Sequence, residues 1–334
     1  MFVADSGSSQ AVMLQYRSFC NTDPPVLASI WRSRRGQPGW LQPVSADVFE
    51  QLVLGKPYFD CEGLIVARQD GRPVGFAHAG FGPNETEDRI STEMGVTCML
   101  IVRPDCAEAE VAAGLLGQCE AYLRRHGAKV LYGGGIRPLN PFYLGLYGGA
   151  ELPGVLDSDV VARDLYRGHG YREIDRTRIY HRDVEAFQVP ISRQQMQLRR
   201  STVVEVTVDP PARTWWEACT TGDFDLTQFR LVPRGGGPPL ARALLRNLEP
   251  TGAGGPTRAA GLIELEVAAE YRRQGLSTFL LVEVFRQLAR QGVATLEVQT
   301  MQHNAAAMAL YRRLGFQQVG QGIVFRKEAT GVSE

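Results

Sequence analysis

Arg272-Arg273-Gln274-Gly275-Leu276-Ser277 brings together positive charge, a glycine and a small hydroxyl residue. It follows Leu262–Val267, where apolar and acidic residues alternate as at the end of a strand. It opens a stretch whose apolar residues (Leu276, Phe279, Leu280, Phe285, Leu288) recur near a 3.6-residue period. Strand, basic glycine turn and long helix make a recipe for holding a diphosphate. The first helical turn leaves N–H groups unpaired at the positive end of the dipole. Gly275 and Ser277 let a ligand approach the backbone, and Arg272 and Arg273 add charge. Glu264 and Glu266, two apart on the strand, share one face, and Glu297 lies on the next predicted strand, Ala294–Thr300. Each carboxylate is a candidate proton acceptor; the competing reading is a solvent-facing acidic stripe.

Arg272-x-x-Gly275-x-Ser277 after a strand resembles the Arg/Gln-x-x-Gly-x-Gly/Ala turn of the GNAT superfamily, the acetyl-CoA-dependent N-acyltransferases. Downstream, Asn304 and Ala309-Leu310-Tyr311-Arg312-Arg313-Leu314-Gly315-Phe316 are similar to that family's Asn…Tyr-x-x-x-Gly-Phe ending. Two positions depart from the pattern: Ala269 stands where Pro is frequent, and Ser277 where Gly or Ala is usual.

The resemblance implies acetyl-CoA as acyl donor and a primary amine, on a small molecule or peptide, as acceptor. It implies diphosphate contacts at Arg272, Arg273, Gln274, Gly275, Leu276 and Ser277. A bulged strand at Leu265 to Val267 would expose backbone to the pantetheine arm and carbonyl, with the Val267 N–H as a candidate oxyanion donor. Asn304 would cap a helix, touch pantetheine, or both. Tyr311 would protonate the leaving thiolate, unless its ring only fills the core. The base falls to Glu266 or Glu264, with Glu297 as a further candidate and His303 as a loop residue. Transfer by direct attack is the leading reading; a sensor that binds CoA without turnover, or a different acyl donor, are the rivals.

The elements that must position these residues come in two copies. Shifted by 165 residues, Val102 falls on Val267, Leu115-Leu116 on Leu280-Leu281 and Gly127 on Gly292. Leu165-Tyr166 to Gly170-Tyr171 matches Leu310-Tyr311 to Gly315-Phe316 at an offset of 145, so the first copy carries extra residues within about 133–157. In the first copy Ala107-Glu108-Ala109-Glu110-Val111-Ala112 replaces the basic turn, and its carboxylates oppose a diphosphate. Tyr166 is therefore read as structural. The expected architecture is α/β of the α+β type: two tandem GNAT-like domains, each a mixed, mainly antiparallel sheet flanked by helices. The first spans 1–190 and is degenerate; the second spans 191–334, with a join near Val189–Ser192.

Local patterns predict strands at Ala11–Phe19, Thr97–Val102, Leu198–Val208 and Ile323–Lys327. They predict helices at Val26–Arg34, Asp47–Leu54, Ala109–His126 and Ala212–Cys219. Hairpins are expected about Gln69–Gly71 and Gly235–Gly237, a flexible turn at Thr251–Pro256, and a frayed start over residues 1–10. Trp215, Trp216, Phe142, Tyr143 and Tyr147 are candidates for the acceptor wall or for core packing.

The 334 residues carry 36 basic and 36 acidic side chains, which argues against nucleic acid as a partner. Apolar and charged shares of 44% and 22% are those of an ordinary globular protein, and no apolar run suits a membrane span. The N-terminal residues show no signal pattern, so a cytoplasmic site is expected. Six cysteines without Cys-x-x-Cys spacing point to reduced thiols and no metal site. A monomer or homodimer is expected.

Overall fold

The computed structural model describes residues 13–36, 40–146, 149–185, 187, 193–248 and 258–329. The predicted join at Val189–Ser192, the turn Thr251–Pro256, Tyr147 and residues 1–10 lie outside these. The first half runs β1 (Leu14–Ser18), α1 (Pro24–Arg32), α2 (Ala46–Phe49) continuing into a π-helical turn at Glu50–Leu54, β2 (Leu64–Gln69), β3 (Arg72–Pro83), β4 (Ile90–Val102), α3 (Glu108–Arg125), β5 (Val130–Gly133), β6 (Val155–Leu156), α4 (Val160–Gly168) and β7 (Arg172–Asp183). The second half runs α5 (Arg193–Ser201), β8 (Thr202–Val208), α6 (Trp215–Thr221), β9 (Leu226–Pro233), β10 (Ala241–Leu248), β11 (Ala259–Val267), α7 (Leu276–Arg290), β12 (Thr295–Met301), α8 (Ala305–Arg313) and β13 (Gln317–Glu328).

Local chemistry sets the ends. Asp70 and Gly71 take φ of 49° and 80°, the two positive values that a tight hairpin between β2 and β3 demands. Pro24 and Pro25 start α1, where their missing N–H groups cost nothing. One predicted strand is shorter than expected: Leu198–Ser201 end helix α5, and only Thr202–Val208 is extended. The Arg, Gln, Met and Leu residues from Arg193 to Arg200, none β-branched, favour a helix, and Thr202 turns its hydroxyl onto the Leu198 carbonyl at 2.6 Å where the β-branched run begins. The helix predicted at Ala212–Cys219 starts later, at Trp215, because Thr214 caps it by accepting from the Glu217 N–H at 3.0 Å.

The repeat is visible in the pairing itself. β4 and β5 are parallel with Met94 opposite Val130 and Thr97 opposite Gly133. β11 and β12 are parallel with Ala259 opposite Thr295 and Leu262 opposite Val298, the same register 165 residues on. α4 and α8, then β7 and β13, start and end at the 145-residue offset. Every other strand pairing of the main path is antiparallel.

The strands form one sheet in the order β1-β2-β3-β4-β5-β13-β7-β12-β11-β10-β9-β8. β13, last in the second copy, lies against β5 of the first. β7, last in the first copy, lies against β12 of the second. The two copies have exchanged their final strands, so Tyr180 of β7 packs with α7 and α8 in one core while Ile323 and Phe325 of β13 pack with α3 in another. A third core joins α1 to the opposite face of β2–β4 and contains Phe142 and Tyr143. Among the described residues no helix is long and apolar enough to cross a membrane.

Candidate active site

β11 and β12 stay paired only as far as Leu262 and Val298, then part. On the other edge of β11 the register against β10 slips, with Leu244 opposite Glu264 and Leu245 opposite Leu262, so the bulged residue is Ile263. This corrects the expected position at Leu265 to Val267. The extra residue resets the alternation: Leu262 and Leu265 both pack toward the core under α7, which sends Glu264 and Glu266 together to the opposite face.

The gap leads into a cleft of about 980 Å³ that contains nearly every residue singled out from the sequence. Glu264, Leu265, Glu266 and Val267 border it on β11; Arg272, Arg273, Gly275, Leu276 and Ser277 on the turn into α7; Asn304 and Tyr311 on α8. Gln274 does not, its side-chain amide turned back to the Glu270 carbonyl at 3.3 Å, and neither do Glu297 and His303. Sequence reasoning missed Gln299 and Thr300 on β12, Arg313 on α8 and Gln194 on α5, which also border the cleft.

The turn is shaped for an anion. Arg273 and Gly275 have φ of 62° and 74°, the left-handed values that turn successive N–H groups inward into a nest at the start of α7. A Cβ on Gly275 would stand 3.1 Å from the Gln194 amide, which itself donates to the Gln274 carbonyl at 2.9 Å. Arg272 spends its Nε on the Val267 carbonyl at 3.2 Å. Neither Arg272 nor Arg273 pairs with a carboxylate among the described residues, so both guanidinium charges remain for a ligand. These features fit the diphosphate of a nucleotide coenzyme.

Tyr311 is 5% exposed, its ring 6.0 Å from Tyr180 and 5.4 Å from Phe316. Burial, and then the charge of Glu151, push its phenol above the usual range, so it is a protonated donor at neutral pH. Asn304 caps α8 by accepting from the Ala307 N–H at 3.1 Å and still borders the cleft. The carboxylates differ sharply. Glu264 is gripped by Arg242 at 2.5 Å and Arg213 at 3.0 Å. Glu266 is 59% exposed with Arg242 3.5 Å away. Glu297 is buried, accepts from the Ala150 N–H at 2.7 Å and meets His181 at 2.9 Å. His303 is exposed beside Asp175.

On the face away from α7 the first copy's insert covers β11 and β12. Gly261 allows this, since a Cβ there would be 2.7 Å from Ala150. Arg246, buried on β10, donates to the Ala150 carbonyl at 3.0 Å and to that of Gly149. Desolvation lowers its guanidinium to about 10, still charged at neutral pH. Trp216 is buried with Trp215 at its side, both against Tyr58, and borders a small cleft with Glu151 and Ile263. Phe142 and Tyr143 instead pack in the first half, around His78.

The matching place in the first half is closed. Arg34 sends its Nε to the Val102 carbonyl at 2.7 Å, as Arg272 does to Val267, but Arg34 is also paired with Glu108. Leu152–Leu156 of the insert lie along the gap beyond Thr97, leaving cavities of only about 40 and 50 Å³. Tyr166 is buried and stacked on Phe325 at 5.5 Å.

The acetyltransferase (GNAT) family model matches residues 28–147 and again 196–316. The chain belongs to the GNAT family. Each copy is matched, which makes it a tandem member. No curated relative matches in sequence. Among solved structures, a tandem GNAT protein from the clavulanic acid biosynthesis pathway is 15% identical, with 96% of this chain and 100% of that one covered at a TM-score of 0.66. A GCN5-related N-acetyltransferase from Sphaerobacter thermophilus is 16% identical over 96% and 97%, at 0.61. A GCN5-related glucosamine N-acetyltransferase region of a fungal multi-domain β-N-acetylglucosaminidase is 17% identical over 96% of this chain, at 0.69; this chain spans 38% of that protein's length. These likenesses support the fold. Family membership carries acyl transfer as the general activity, with acetyl-CoA as the general donor of the family.

Proposed function

We propose that this GNAT protein transfers an acetyl group from acetyl-CoA to a primary amine by direct attack, with the coenzyme bound only in the second copy. The observation that carries this reading is the open gap between β11 and β12, flanked by a buried, protonated tyrosine and by an anion-shaped turn whose two arginines meet no carboxylate among the described residues. The N–H groups of Gly275 to Ser277, with Arg272 and Arg273, hold the diphosphate. Backbone at Leu265 and Val267, left without a β12 partner, lies along the pantetheine arm, and the Val267 N–H faces the charge developing on the carbonyl oxygen. Asn304 adds a polar contact from α8. Bound there, acetyl-CoA supplies an acyl group activated as a thioester. Tyr311 Oη hands its proton to the departing sulfur.

The same reading makes the first copy a wall, since Arg34, Glu108 and Leu152–Leu156 already fill its gap. Calorimetry separates the two. Gly275→Glu, which places a carboxylate in the nest, should lose CoA binding altogether, whereas Glu110→Gln in the first copy should bind as the parent does. Equal losses from both would contradict the asymmetry, and a parent protein that binds no CoA would remove the reading itself.

A further inference from the structure

We propose that Glu151, contributed by the insert of the first copy, takes the proton from the acceptor amine in the active site of the second; this rests on the transfer reading above. Glu151 is fastened to both of the strands that part. Its carbonyl accepts from Gln299 Nε2 of β12 at 2.8 Å. Its carboxylate meets Arg137 Nη1 at 3.3 Å, and the same nitrogen donates to the Ile263 carbonyl, the bulged residue of β11, at 3.2 Å. Ile263 and Gln299 border the coenzyme cleft, and Ile263 and Glu151 border the smaller cleft beside Trp216 and Glu217 on the opposite face. Glu151 thus stands where the gap opens toward the side from which an acceptor would enter.

The other carboxylates are committed elsewhere. Glu264 is held by two guanidinium groups, Glu266 stands in solvent near Arg242, and the oxygens of Glu297 are occupied by the Ala150 N–H, Gln299 and His181. Among the described residues Glu151 has one long ionic contact, to Arg137, and its side chain is 23% exposed. Burial lifts its carboxyl above the ordinary range, with Arg137 opposing, and its charge in turn is felt at Tyr311 and comes up against that of Glu264. A carboxylate with raised proton affinity is a better base at neutral pH than an ordinary one.

The proton balance closes. The acceptor arrives as an ammonium and gives one proton to Glu151, freeing the nitrogen lone pair. The nitrogen–carbon bond forms and the carbon–sulfur bond breaks. Tyr311 protonates the sulfur and is reprotonated by the second proton that the nitrogen sheds on becoming an amide. Glu151 returns its proton to water, so amide, thiol and one proton leave per turnover.

The test compares the parent, Glu151→Gln and Glu151→Asp. Acetyl-CoA is the donor, and the fastest of spermidine, glucosamine and a lysine-bearing peptide is the acceptor. The glutamine variant should bind CoA as tightly as the parent, transfer about 10²–10⁴-fold more slowly, and lose the acidic limb of its kcat/KM profile, with the aspartate recovering part of the rate. Independently of activity, infrared titration of coenzyme-free protein should show a carboxyl that titrates above the usual range in the parent and is missing from the glutamine variant. A carboxyl raised in the folded state stabilises the fold below its unfolded-state titration and loses that contribution as pH rises. The variant should therefore be no less stable than the parent at neutral pH. An unchanged rate and acidic limb in Glu151→Gln, or an unchanged infrared titration, would overturn the role of Glu151 while leaving transfer intact. A parent that binds CoA and acetylates none of the three amines would overturn the transfer reading and this inference with it.

Discussion

Tyr311 meets the requirements of the proposed proton donor: ring in the core, edge on the cleft, and a phenol whose proton is retained at neutral pH. Its hydroxyl makes no hydrogen bond among the described residues, so removing it leaves no buried partner behind. Tyr311→Phe should therefore fold normally and bind CoA as the parent does, while kcat falls about 10²-fold, the scale of one lost proton transfer. Stopped-flow release of free thiol separates the two effects; a variant as fast as the parent would return Tyr311 to the core-packing role. Tyr311 and the Arg272–Ser277 turn were legible because they are local: a few residues of fixed type at fixed spacing, read within one strand–turn–helix. Glu264 and Glu266 were legible as a pair on one face, but not their fate, since Arg213 and Arg242 reach Glu264 from α6's approach and from β10. Glu151 left only one trace in the sequence, an acidic residue in a Gly- and Pro-rich segment otherwise suited to packing.

The insert shows how an element can be visible in a sequence while its purpose is not. A change of offset from 165 to 145 located extra residues within about 133–157, yet nothing local says that they lie on the other copy's sheet. What holds them there is long-range: Arg246 of β10 on two insert carbonyls, the Ala150 N–H on Glu297, Gln299 on Glu151, and a glycine at 261 that lets the chains touch. Around the same cleft, Lys56 reaches Asp223 at 2.6 Å and Glu87 takes the Thr214 hydroxyl at 2.8 Å, tying the first half to α6. Arg246→Met keeps the bulk and removes the donors. Two buried carbonyls then lose their partners, for about 3 kcal/mol of destabilisation. The insert should loosen before the coenzyme turn does. Denaturant midpoints should fall, and acceptor KM should rise far more than the Kd for CoA; an equal rise in both would mean that Arg246 supports the whole sheet rather than the insert.

At the scale of the molecule, the two copies were readable as repeats, whereas the exchange of their last strands was not, because each strand would satisfy the same pattern beside either neighbour. Phe325 belongs by position to the second copy, yet it is fully buried with Leu115 and Leu123 of α3 and stacks on Tyr166, all in the first half. Tyr180 of β7 makes the reciprocal move into the core with Tyr311. Division at residue 190 thus describes the sequence repeat, while each folded half includes a strand from beyond that line. Phe325→Ala removes a buried aromatic and should cost about 3–5 kcal/mol. The loss has an address: hydrogen-exchange protection should fall first in α3 and β5, some 200 residues away in the chain, while α7, far nearer in sequence, keeps more of its protection. Independent halves would show the reverse, with α7 and β12 weakened and α3 untouched. With the strands exchanged, neither half can part from the other without breaking β5–β13 and β7–β12, so the insert stays pressed over the gap in which Tyr311 and the arginine turn meet.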